Sequence, residues 1–427
     1  MKLTICGGRL IDPAQNIDEL IDIHLADGRV LALGQAPAGF NPERTIHAEG
    51  LVVAPGFIDI GAHLREPGPS YKGNLRSETK SALAGGYTTI CCRPDTSPCI
   101  DSSAVVQQIM DKVEALSQAK VMPIGAMTKD LKGSHLSNMA GLQHTGCVAV
   151  SNMRQPVESS LVLRRCLEYA STFDLQVVFY PEDHWLKADG CANEGELASR
   201  LGLGGIPASA EAIGLSRVLH LIETTGVKAH FGMLSTARAV EMIANAQQRG
   251  LPVTADVDMA HLIYTEAEID GYNSQFFVEP PLRSEEDRAA LRQGVRDGVL
   301  SVISSAHLPH EEAAKMAPFA AAEPGMATLE TTLSQGLSLV AEDLLSLNQL
   351  VERLTSGPAK ALGLPMGSLS VGQAADLCLF DPEAEWVVND ESLHTAGENT
   401  PLMQQEVKGQ VQFAIVDGQV AFERNSR

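Results

Sequence analysis

No run of about 18 apolar residues occurs in the 427-residue chain, so nothing in it reads as a membrane span. Basic residues are scarce: 32 Lys and Arg stand against 53 Asp and Glu, a net charge of -21. That balance argues against a polyanion partner, because nucleic acid needs its phosphates neutralised. Cys-x-x-Cys pairs are missing too. The eight cysteines, Cys6, Cys91, Cys92, Cys99, Cys147, Cys166, Cys191 and Cys378, are scattered. This excludes the paired thiols of zinc and redox motifs and leaves them as small, reduced, buried hydrophobes. The first ten residues lack a long apolar stretch and run straight into strand-like sequence, so cytoplasmic residence is the expectation.

With 44% hydrophobic and 20% charged residues, the composition is that of an ordinary globular protein large enough for a barrel-sized domain and a smaller one. Residues 1–53 alternate short apolar runs with turn signals such as Ala26-Asp27-Gly28, and no helical period appears. Residues 365–427 read the same way, with Val416-Asp417-Gly418 separating two apolar runs. The two β-rich ends are expected to assemble one small β-sandwich. Between them, residues 54–364 alternate short apolar strands with helical patterns, which is the signature of βα units. Thr88–Cys92, Lys120–Ile124, Cys147–Val150, Gln176–Tyr180, Val227–Phe231, Val253–Val257 and Val302–Ser305 are the strand candidates, and the stretch after Pro55 makes eight. Ala212, Leu215, Val218, Leu219 and Ile222 recur at helical spacing in one intervening helix. The expected class is α/β, an eight-stranded (β/α)8 TIM barrel carrying a terminal β-sandwich.

The stretch from Pro55 to Arg65 ends an apolar strand with a polar set, Asp59, Gly61, His63 and Arg65, in one phase of a two-residue period. Polar groups at the C-terminal end of a barrel strand stand where barrel active sites form. This stretch resembles the first metal-binding strand of the dihydroorotases, cyclic amidohydrolases with His-x-His-x-Arg followed by Glu-Pro-Gly. His63, Arg65, Glu66, Pro67 and Gly68 match that form. The resemblance continues through Gly85-Gly86-Tyr87-Thr88-Thr89, Leu201-Gly202-Leu203, Gly205-Ile206-Pro207, Pro280-Pro281-Leu282-Arg283 and Ala375-Asp376-Leu377.

The resemblance implies zinc ligands at several strand ends and an aspartate general base, the equipment that lowers the pKa of water and polarises an amide carbonyl. Position by position, that set is missing. The first histidine is Gly61, which has no side chain. The aspartate-bearing turn reads Ser151-Asn152-Met153-Arg154, with Asn152 and Met153 where a carboxylate belongs. The next two histidines are Tyr180, a phenol with a pKa near ~10, and Met233, a thioether that zinc rarely selects. The general base is Ala306. Only His63 remains, and one imidazole does not make a zinc site. His230, three residues from Met233, falls on the opposite face of a regular strand, and Glu182 offers at best one further ligand.

The residues expected to grip a substrate carboxylate are mixed. Arg65 and His310 match the family, whereas the asparagine position is Asp95, which repels an anion unless the neighbouring Arg93 pairs with it. Packing roles compete throughout. Arg65 is most simply a structural ion-pair partner of Asp59 or Asp95, ahead of ligand binding; His63, His307 and His310 serve as hydrogen-bonded core or loop residues, and Tyr180 and Met233 as fillers of space that metal vacated.

A retained fold with discarded ligands implies a catalytically inactive dihydroorotase homologue without zinc. The family includes such chains as noncatalytic partners of aspartate transcarbamoylase, and that assembly role is the leading expectation. A working cyclic amidohydrolase with an altered metal site and a small-molecule sensor using Arg65 and His310 are the alternatives.

Overall fold

A computed structural model describes residues 1–424. Eight parallel strands form its central sheet: β1 Phe57–Asp59, β2 Tyr87–Cys92, β3 Lys120–Ala126, β4 Ala149–Ser151, β5 Gln176–Phe179, β6 Ala229–Phe231, β7 Val253–Asp258 and β8 Val302–Ser304. Spatial order follows chain order, and every adjacent pair is parallel. Helices packed outside the strands supply the crossovers, which is the (β/α)8 barrel. The seam between β1 and β8 is closed by individual hydrogen bonds. Asp59 Oδ1 accepts from the Ser305 N–H at 2.7 Å, and the His63 N–H donates to the His307 carbonyl at 2.8 Å.

Crossover helices bury the apolar stripe that their sequence carries. In α1, Ala208–Thr225, Leu215, Val218 and Ile222 are buried. The helix Leu75–Ala84 passes into β2 through Gly85 and Gly86, the latter at φ 88°, a conformation that favours glycine.

Both chain ends join in two further sheets. One holds Leu3–Cys6, Ile23–Ala26, Arg29–Leu33 and Arg44–His47. The other holds Arg9–Asp12, Ile17–Leu20, Val52–Pro55, Leu377–Val387, Glu406–Val416 and Gln419–Glu423. Val52–Pro55 pairs with Leu377–Phe380, so the strand that leads into the barrel is clamped by the C-terminal segment. Leu3, Ile5, Leu10, Ile23, Leu25, Leu377 and Ile415 form a separate core between the sheets. No helix among the described residues is long and apolar enough to cross a membrane.

Candidate active site

The site lies where the chain leaves β1. Regular strand geometry stops at Asp59, which corrects the two-residue alternation expected through Arg65. Asp59 is fully buried, and its second oxygen accepts the Gly61 N–H at 3.2 Å, so it turns the backbone inward while stapling β1 to β8. Arg65 then adopts a left-handed conformation at φ 61°.

Three positions where the resemblance calls for ligands meet in space. A Cβ built on Gly61 would stand 3.9 Å from both Met233 Cε and Tyr180 Oη. Met153 and Met233 pack with Ile60, Val178 and Tyr180 in one buried apolar cluster, and Ala306 lies against it. Beside Met233 and Ala306 remains a cavity of about 30 Å³, room for little more than water. Asn152 turns away from the mouth. Its Oδ1 accepts from Thr128 Oγ1 at 2.5 Å, and its Nδ2 donates to the carbonyls of Leu131 and Gln155.

These side chains do not make a zinc donor set. Burial pushes the Tyr180 phenol up from its ordinary value, so it stays protonated rather than offering a phenolate. His63 Nδ1 accepts the Arg65 N–H at 3.0 Å, which leaves the proton of the neutral ring on Nε2, 3.3 Å from the Asp95 carbonyl. Burial lowers the His63 pKa to about 4, in keeping with that neutral ring. Its lone pair is therefore already committed. His230 is fully buried with both nitrogens engaged, Nε2 at 2.8 Å from Asp256 Oδ2 and Nδ1 at 2.8 Å from Thr254 Oγ1. Glu182 lies 3.7 Å from both Arg154 and Lys187, a partner for cations of this chain.

The groups expected to hold a carboxylate are also paired internally. Arg93 grips Asp95 through two hydrogen bonds, at 2.7 and 3.2 Å. Burial alone would raise the Asp95 carboxyl, but Arg93 and His63 outweigh it and hold the group at about 2. Arg65 pairs with neither Asp59 nor Asp95, which corrects the ion pair expected from charge alone. Its Nε donates to the Pro309 carbonyl at 2.9 Å, and its Nη2 lies 2.8 Å from His310 Nε2. Lys72 Nζ lies 3.1 Å from His310 Nδ1 and donates to Glu323 at 2.5 Å. The carboxylate facing these cations thus comes from the chain itself. His307 is structural, its Nε2 bonded to the buried Glu78 carboxylate at 2.8 Å.

Sequence reasoning missed Lys72, Glu323, Arg154 and Asp256 as parts of this region. Arg154 carried a usable signal, since it follows Met153 in a turn already under scrutiny. Its guanidinium stands 5.8 Å from the centre of the Tyr180 ring and 3.9 Å from Met233 Sδ, roofing the apolar cluster. Asp256 accepts from the Met233 N–H at 2.9 Å and from Ser304 Oγ at 2.8 Å, holding the Met233 backbone in place.

Comparison with known proteins agrees with this architecture. A family described as Dihydro-orotase-like matches residues 50–239, and one described as Amidohydrolase family matches 325–422. A Pseudomonas putida protein named Dihydroorotase-like protein is 49% identical over 98% of this chain and 99% of its own length. The chain belongs to the dihydroorotase-like family of the amidohydrolase superfamily. Within that family, a Syntrophotalea carbinolica protein named Dihydroorotase is 42% identical over 99% of both chains. Among solved structures, L-hydantoinase from Arthrobacter aurescens superposes with a TM-score of 0.88 at 24% identity, covering 99% of this chain and 96% of its own, a likeness of fold.

Proposed function

We propose that this dihydroorotase-like chain is catalytically inactive, binds no zinc in its barrel mouth, and serves in the cytoplasm as a structural subunit that organises the aspartate transcarbamoylase catalytic chain in a mixed oligomer. The observation that carries the first part is the meeting of Gly61, Tyr180 and Met233 at one point packed with apolar side chains. Hydrolysis of an unactivated amide needs an activated water and a base there. This chain offers a protonated phenol, a thioether and the methyl group of Ala306. The internal pairing of Arg65, Asp95 and His310 weighs against a sensor that uses the old carboxylate grip.

The partner is proposed from the family resemblance together with a fold kept intact after its catalytic groups were replaced. Such a scaffold keeps its surface for association, and a stable contact needs roughly 800 Å² on each partner. The test is to co-express the chain with an aspartate transcarbamoylase catalytic chain, measure mass by light scattering, and assay carbamoyl transfer with and without it. A mixed species with altered transfer activity supports the reading. Separate migration at micromolar concentration with unchanged activity overturns it.

A further inference from the structure

Far from the barrel mouth, on the edge of the terminal sandwich, three side chains of metal-ligating type converge. Cys6 and His47 end two adjacent parallel strands and face each other in register, and Glu49 follows two residues later. Cys6 Sγ lies 3.3 Å from His47 Nδ1, His47 Nδ1 lies 3.6 Å from Glu49 Oε1, and all three ligand atoms fall within 4.8 Å of one another. We propose that Cys6, His47 and Glu49 form a divalent-metal site of the zinc type, with water as fourth ligand.

The spacing suits the ion. Zinc bonds of about 2.3 Å to sulfur and about 2.0–2.1 Å to nitrogen or oxygen, at tetrahedral angles, hold sulfur and nitrogen about 3.5 Å apart and nitrogen and oxygen about 3.3 Å apart. The two observed separations stand within a few tenths of an ångström of those edges. The local backbone also makes room for the third ligand. Gly7 sits at φ 75°, and a Cβ there would stand 2.9 Å from Glu49 Cγ, so the carboxylate side chain folds back over the turn only because position 7 is glycine. Asp22 accepts the Gly7 N–H at 3.0 Å and adds a second negative charge beside the thiol.

In the metal-free chain, burial and then the neighbouring Glu49 and Asp22 raise the Cys6 pKa, so the thiol carries its proton. Binding exchanges that proton for the metal: the S–H bond breaks, the metal–sulfur bond forms, and the proton leaves to solvent. His47 and Glu49 are exposed, which leaves an open path for the ion.

The site is independent of the proposed loss of zinc from the barrel. Metal-stripped full-length protein is titrated with cobalt, whose thiolate bond gives a near-ultraviolet charge-transfer band, and zinc retention after dialysis is measured by elemental analysis. Wild-type protein is expected to show the band and retain one zinc per chain. Cys6→Ser is expected to lose the band and weaken zinc retention at least about tenfold, as expected for loss of one of three protein ligands. Cys99→Ser, at the other cysteine–carboxylate cluster, is expected to change nothing. His47→Gln, on an exposed side chain, carries the same test should Cys6→Ser misfold. No band in wild-type protein, or a band surviving Cys6→Ser, overturns the proposal. Zinc retained by Cys6→Ser protein that supports amide hydrolysis would instead count against the inactive-barrel reading, so the two failures are distinguishable.

Discussion

Met233 and Ala306 both hold left-handed backbone conformations, at φ 52° and 51°, that neither side chain favours. Such residues cost on the order of 1 kcal/mol each and persist where surrounding structure over-determines them. Here the Met233 N–H is fixed by Asp256, which holds the backbone in that conformation. The side chains at these motif positions were legible in the sequence, because a position either carries a given donor atom or does not. Their meeting point was not, since Gly61, Tyr180 and Met233 come from three different strand ends. Two predictions follow from that packing. Gly61→His places an imidazole against Met233 and Tyr180, so it is expected to lower stability by about 1–3 kcal/mol in chemical denaturation. It is also expected to give no turnover of dihydroorotate, because a single restored ligand finds no partners. Turnover above buffer from this one substitution would contradict the inactive reading. Met233→Ala opens a hole in the same cluster and is expected to cost about 2–4 kcal/mol; a cost near zero would mean that the mouth is not packed.

At the scale of elements, the alternation of strand and helix was readable because a barrel strand buried on both faces and a helix with one apolar stripe leave different periods. All eight barrel strands stand where they were expected, with shifted ends. The strand expected from Val227 begins at Ala229, and β1 stops at Asp59 because a hydrogen bond from Ser305, 246 residues away, redirects the chain. Partners that distant leave no periodic trace. The same holds for Glu78, whose carboxylate accepts from His307, Thr395 Oγ1, Ser77 Oγ and the Ala396 N–H, tying a crossover helix, the end of β8 and the C-terminal segment together. Glu78→Ala leaves those buried donors unpaired and is expected to cost about 3–5 kcal/mol, with a matching fall in melting temperature.

His310 gives this region a pH signature. Burial, then Arg65 and Lys72, lowers its pKa to about 3, while Glu323 acts in the opposite direction. The unfolded chain binds the proton at about pH 6.5, so between these values it holds more protons than the folded chain and stability rises with pH. The contribution is complete above about pH 6.5 and is lost on acidification towards pH 3. Denaturation measured from about pH 7 to about pH 5 is expected to show this slope, and His310→Gln is expected to flatten it by up to one proton. An unchanged slope would place the titration elsewhere.

Over the whole molecule, a net charge of -21 gives contacts between two copies of the chain and contacts with a basic partner opposite responses to salt. Two copies repel, and salt screens that repulsion, so self-association should strengthen as ionic strength rises. A transcarbamoylase chain that presents a basic face would be attracted, and the same screening should weaken its binding. The Debye length falls from about 10 Å at 0.1 M to about 3 Å at 1 M salt, so both effects belong to that range. In the proposed complex, electrostatics would set encounter rate and partner choice, while an apolar contact centre would hold it once formed. Sedimentation velocity of this chain alone and of its mixture with the transcarbamoylase chain, across that range of salt, reads both signs in one experiment. The expected outcome is a mixed species that dissociates as salt rises while this chain alone does not. A mixed species that strengthens with salt would remove charge complementarity from the account and leave apolar burial as the sole basis of assembly.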